Sequence, residues 1–198
     1  MFLIVIGIII LVITAVVLKN NPALAKFKPI GRIVGVIFIL LGIFNACVKQ
    51  IDAGQVGVNV LFGSIQNDVM GSGLHFINPL LDVKKMDVKT QNYTMSGLHD
   101  EGNQVGDDAI RVLTSDGLEV TIDLTVLYRV VGADAPRLLR ETGDDYRDKI
   151  VRPITRTKIR DNAVYYQAVD LFGSKRDVFQ QRIFKSIEED FKKRGLLL

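Results

Sequence analysis

The chain is 198 residues long, 48% hydrophobic and 24% charged, with a net charge of +3 from 25 basic and 22 acidic residues. One cysteine excludes an intrachain disulfide, and interleaved charges without a basic block argue against nucleic acid as a partner. Two histidines and that cysteine are too few for a structural zinc site, so neither metal nor cofactor is expected.

Two apolar runs open the chain, Phe2–Leu18 and Ile30–Val48, and Arg32 is the one charge near the start of the second. At about 1.5 Å per residue each run is roughly 25–28 Å long as a helix, close to the hydrocarbon thickness of a bilayer. The pattern predicts a membrane anchor over Met1–Val48, with transmembrane helices at about 2–18 and 30–48. The linker Lys19–Pro29 carries Lys19, Lys26 and Lys28 and no acid. An excess of cations marks the cytoplasmic side, so the linker is expected there and the remainder of the chain on the opposite, non-cytoplasmic side. Two alternatives stay open. Ala23-Leu24-Ala25 has the small-x-small form of a signal cleavage site. A re-entrant hairpin turning at Pro22 or Pro29 also fits. Cys47, at the end of the second run, is either a small apolar filler or an acylation candidate.

Beyond the anchor, about 150 residues suffice for one domain with a core of its own. Gly54–Phe62 and Asp82–Thr94 are extended in pattern, separated by Gly71-Ser72-Gly73 and an Asn78-Pro79 turn. Ala109–Thr114 leads through the hairpin signal Ser115-Asp116-Gly117 into Leu118–Val131, where apolar and polar residues alternate with period two. That alternation predicts one long half-buried strand. Helices follow. Asp134 is placed to cap a short helix with Pro136 in its first turn, and Asp144–Val164 is helical in character with Pro153 near its start. Ser174-x-x-Asp177 resembles a capping box, and Phe179, Ile183, Ile187 and Phe191 recur at helical spacing up to Gly195. Strands followed by helices predict an α+β domain, an antiparallel sheet with helices packed on one side. Leu196-Leu197-Leu198 resembles the first half of a further strand, and more sequence is expected beyond it.

The chemistry-bearing residues do not assemble a site on paper. His75 is expected to make a structural hydrogen bond in a turn, and His99, beside Asp100 and Glu101, to lie in a solvated loop. Asp107-Asp108 and Asp144-Asp145 are adjacent acids, explained by loops or helix starts. No Gly-x-Ser-x-Gly elbow and no Walker lysine occurs, so no enzyme activity is expected. The surface pattern that stands out is Lys149, Arg152, Arg156 and Arg160, spaced along one helical face. Either these cations pair with Asp148 and Asp161, or they contact a neighbouring subunit or anionic headgroups.

Several segments together resemble the SPFH (band 7, prohibitin-homology) family. They are Ile51-Asp52-Ala53-Gly54-Gln55-Val56-Gly57-Val58, Phe62-Gly63, and Gly73-Leu74-His75-Phe76 with Pro79. Ser115-Asp116-Gly117-Leu118-Glu119-Val120, Tyr128-Arg129-Val130 and Val151-Arg152-Pro153-Ile154 with Arg156 and Arg160 follow in the family's order. Ser72 departs from the pattern, which usually has Pro there. The resemblance covers nearly all of Lys49–Leu198 and implies an SPFH domain over 49–198, cut before its last strand and coiled coil. It further implies a non-enzymatic membrane scaffold that self-associates into large homo- or hetero-oligomers, contacts lipids and modulates membrane proteins such as a membrane-anchored AAA protease. A bacterial plasma membrane and a multi-pass topology are the expected setting. The alternative reading is a monomeric membrane-tethered module that binds a lipid or a peptide.

Overall fold

The computed structural model describes residues 2–20, 28–98, 102–104 and 106–198. Pro22, Ala23-Leu24-Ala25, His99, Asp100 and Glu101 lie outside the described residues.

The first apolar run forms α1 (Phe2–Asn20) and the second forms α2 (Lys28–Cys47). Glycine lets the two pack antiparallel at close range. A Cβ on Gly7 would lie 2.9 Å from the Gly35 carbonyl oxygen, and one on Gly42 would lie 2.9 Å from the Ile4 nitrogen. Backbone, which cannot move aside, sets that spacing, as in helix pairs that meet through small residues. The outer surfaces stay apolar: Val5, Ile8, Val12, Ile33, Ile37, Leu40 and Phe44 are all exposed. Among the described residues only α2, over Pro29–Cys47, is long and apolar enough to cross a membrane. The apolar stretch of α1, Phe2–Ala15, is shorter, so the expectation of two full spans is met by one.

No linker separates the helical hairpin from the domain. Cys47 ends α2 and Val48 begins β1 (Val48–Ile51), which pairs antiparallel with β4 (Gly73–Phe76). β2 (Gln55–Leu61) then sits between β3 (Ser64–Met70) and β5 (Leu81–Asp87) in a three-stranded antiparallel sheet. The β2–β3 turn takes left-handed backbone at both Phe62 (φ 49) and Gly63 (φ 85), the pattern of a two-residue hairpin. Asp82–Thr94, expected as one extended segment, is two strands: β5 and β6 (Gln91–Met95) belong to different sheets.

A second correction concerns Leu118–Val131. The alternation is real, and Val120, Val126, Tyr128 and Val130 are buried, but the strand divides at Asp123. β8 (Glu119–Ile122) pairs with β7 (Ile110–Leu113), while β9 (Leu124–Val130) pairs with β6. Asp123 accepts a hydrogen bond from the Gly97 N–H (3.0 Å) at the point where the loop between β6 and β7 leaves the ladder.

Helices α3 (Ala135–Thr142), α4 (Arg152–Ala163), α5 (Ala168–Phe172) and α6 (Arg176–Lys193) follow, with one π turn over Arg147–Val151 ahead of α4. The expected helical stretch at 144–164 is therefore present, changing from a π turn to α4 just before Pro153, which occupies the first turn of α4. Neither expected cap forms. Asp134 pairs with Arg137 (3.1 Å) and makes no side-chain cap bond, and α6 starts at Arg176 with no cap bond from a side chain. Phe179, Ile183, Ile187 and Phe191 are buried as their spacing predicts, and Phe191 meets Tyr128 edge-on (6.4 Å, 79°). Gly195 (φ 78) turns the chain so that β10 (Leu196–Leu197) pairs antiparallel with β9. The result is α+β, with small antiparallel sheets sharing one core with the helices.

Candidate functional site

Two places concentrate the residues of interest: the junction of α2 with the β1–β4 ribbon, and the start of α4. At the junction, Phe44 of α2 leans against Phe76 of β4 (6.0 Å, 48°). Leu74, Phe76 and Leu80 are 73%, 71% and 61% exposed on the β4 side. Burying each such side chain is worth roughly 1.5–3 kcal/mol, so a cluster left open in continuity with an apolar helix marks a surface meant to be covered. Cys47 sits inside this junction with its side chain buried, and its carbonyl accepts from the Ile77 N–H (2.8 Å). His75 hydrogen-bonds the Gly71 carbonyl (2.8 Å) and holds the β4 turn, the structural role expected of it.

At the start of α4 the four cations separate. Arg152 and Arg156 converge on Asp108, whose side chain is 4% exposed. Arg152 Nε lies 3.2 Å from Asp108 Oδ2, and Arg156 also donates to the carbonyls of Asp108 and Ala109 (both 3.2 Å). Burial pushes the Asp108 carboxyl up, but the Arg152 hydrogen bond and the charges of both arginines outweigh it and hold it below the ordinary range. Arg152 is raised in turn by that hydrogen bond. Asp148 and Asp161 are not the partners. Asp148 instead accepts from Tyr93 Oη (3.1 Å) and Gln104 Nε2 (3.0 Å). Lys149 turns the other way, donating to the Thr142 carbonyl (2.8 Å) and lying 3.7 Å from Asp145. Arg160 is exposed and has no ion pair among the described residues. Arg152 and Arg156 thus fasten the loop before β7 to α4, and Lys149 and Arg160 are the members left at the surface.

A polar cluster that the sequence did not suggest lies beside this clamp. Gln91 Oε1 accepts from Arg147 (2.7 Å), Tyr146 Oη (3.2 Å) and Tyr128 Oη (3.4 Å). Burial, with Tyr146 nearby, pushes the Tyr128 hydroxyl up to about 12, so it stays a neutral donor. The cluster ties β6 to β9 and to the π turn. Among the described residues no three metal-ligating side chains gather.

The family model described as SPFH domain / Band 7 family matches residues 49–198. The chain belongs to this family. Its curated relatives are prohibitins. Prohibitin 1 of Gallus gallus is 24% identical over 173 residues, covering 87% of this chain and 59% of that protein. Mitochondrial prohibitin complex protein 1 of Caenorhabditis elegans is 26% identical over 181 residues, covering 86% and 59%. Prohibitin-7, mitochondrial, of Arabidopsis thaliana is 25% identical over 172 residues, covering 86% and 56%. This SPFH chain therefore spans less than two thirds of the length of the relatives it matches.

Proposed function

We propose that this SPFH chain is a non-enzymatic scaffold that is tethered to a membrane, self-associates there and organises neighbouring membrane proteins. The observation that carries the reading is the unbroken passage from α2 into β1, with Leu74, Phe76 and Leu80 exposed beside Phe44. A domain attached without a linker cannot stand off from the bilayer, and those side chains would enter the lipid that surrounds α2. α1, packed on α2 through glycine, would complete a second span or a re-entrant arm, with the basic linker on the cytoplasmic side and the domain opposite. A bacterial plasma membrane fits this arrangement.

Self-association is supported by the relative named as a prohibitin complex protein. Lys149 and Arg160 are the surface cations that would meet acids of a neighbouring copy or anionic headgroups. An acylated Cys47 would require the junction to open first, since the thiol is buried. A membrane-anchored AAA protease is the client class that the family resemblance implies. Light scattering of the chain extracted in mild detergent tests the reading. A particle of many subunits is the expected result. A monomer or dimer stable across detergents would replace it with the tethered binding module.

A further inference from the structure

Where the end of α6 crosses the start of α4, the two helices border a cleft of about 260 Å³. Buried Ile150 and half-buried Ile154 give it an apolar floor. Its charged lining is unbalanced. Lys149, Lys158 and Arg194 line it against a single carboxylate, Asp190. That carboxylate is occupied on both oxygens. Lys158 lies 2.8 Å from Oδ2, and Lys193, from outside the cleft, lies 3.3 Å from Oδ1. Lys149 stands 3.7 Å from Asp145, whose side chain is 74% exposed, so water screens that pair. Arg194 is exposed and has no ion pair among the described residues. Two positive charges are thus in excess around the cleft.

The neighbouring clamp shows how this fold treats converging cations when it supplies the counter-ion itself: Arg152 and Arg156 share one buried acid, Asp108. The cleft instead gathers three cations around an acid whose oxygens are both taken. Like charges around a small concave site repel, and low-dielectric walls focus their field. A bound anion relieves that repulsion.

We propose that the cleft between α4 and α6 binds a phosphate monoester. That group carries a charge of about −1.5 to −2 at neutral pH and three strong acceptor oxygens, which match the excess charge and the three cationic side chains. Arg194 offers a planar fork to two of the oxygens, while Lys149 and Lys158 act as point charges on the third. Thr157 adds a hydroxyl to the lining. A carboxylate supplies one charge and two oxygens and leaves part of the excess uncompensated. The cleft is larger than a phosphate alone, so the ester-linked carbons can lie on the floor of Ile150 and Ile154. The ester arrives on a lipid headgroup or as a free small molecule, and the chemistry that recognises it is the same. This site goes beyond the scaffold reading and does not depend on self-association.

The test titrates glycerol 3-phosphate onto the full chain in uncharged detergent micelles at fixed ionic strength, followed by calorimetry. A parallel arm adds dioctanoyl phosphatidic acid, which presents a phosphate monoester on a lipid. Saturable binding at one site per chain is expected in at least one arm, and the arm that binds identifies the source. Dimethyl phosphate, with a single negative charge, should bind about tenfold more weakly. Arg194→Gln should weaken monoester binding about tenfold, as for one lost charge-assisted hydrogen bond, and Lys149→Gln should weaken it in the same direction. Both positions are exposed, so the thermal midpoint should stay unchanged. Lys185→Gln, exposed on α6 and outside the cleft, should leave binding as it is. Light scattering of the same samples separates loss of the ligand from loss of self-association. No saturable binding in either arm, equal affinity for dimethyl phosphate, or equal weakening by Lys185→Gln would overturn the proposal.

Discussion

The α1–α2 hairpin and the α/β domain solve the packing problem with opposite means. In the hairpin, glycines bring backbone to backbone and the large side chains point outward: Gly7 and Gly42 are closely approached while Ile33, Leu40 and Phe44 stay open. In the domain, the large side chains point inward and Tyr128, Ile159 and Phe191 are buried to within a few per cent. Polar chemistry follows the same division. The domain buries Asp108 and satisfies it with two arginines, whereas the described part of the hairpin makes its side-chain bonds by returning Thr14 to the carbonyls of Ile10 and Leu11 (both 2.9 Å). The contrast teaches that the hairpin turns its large apolar side chains outward where the domain turns them inward, and that the apolar patch on β4 shares the pattern of the first region although it is built from the second.

Substitutions can break that contrast from either side. The largest effect is expected for Phe191→Ala, which removes a fully buried ring from the joint of α6 and β9 and should cost about 4 kcal/mol in a denaturant titration. Next is Asp108→Ala, which strands Arg152 and Arg156; both are partly exposed, so about 3 kcal/mol is expected, at the low end for a broken buried pair. Its pH dependence has a definite sign. Because the folded-state pKa of Asp108 is lowered, the contribution is complete above the ordinary carboxylate pKa of about 3.9 and fades as pH falls through the lowered value. The stability gap between the parent and Asp108→Asn should therefore be constant near neutral pH and narrow in acid.

A smaller, local effect is expected in the hairpin. Gly7→Leu should force α1 from α2 at a cost of about 1–3 kcal/mol, seen as faster amide exchange in α1, while the domain's denaturation midpoint stays put. Ser174→Ala is the sharpest control. The capping bond expected there does not form, so the change should lie within about 0.5 kcal/mol of zero.

What could be read from sequence followed from periodicity. The spacing Phe179, Ile183, Ile187, Phe191 identified the buried face of α6, and three terminal leucines after Gly195 identified the start of a strand. What could not be read depended on long-range partners. The division at Asp123 is invisible in an unbroken alternation, because β8 and β9 bury the same face and differ only in which strand lies alongside. The arginine spacing on α4 was legible as a helical face, but its acceptor, Asp108, lies 44 residues before Arg152 and gave no local signal.

The central claim is that the base of the domain lies in lipid beside α2. The chain has no tryptophan, so Phe76→Trp introduces a single reporter at that base, and Val169→Trp, exposed on α5, provides the control. In vesicles containing brominated lipid, the account predicts blue-shifted, strongly quenched emission from Trp at position 76 and water-like, unquenched emission from position 169. Water-like, unquenched emission at both positions would contradict it.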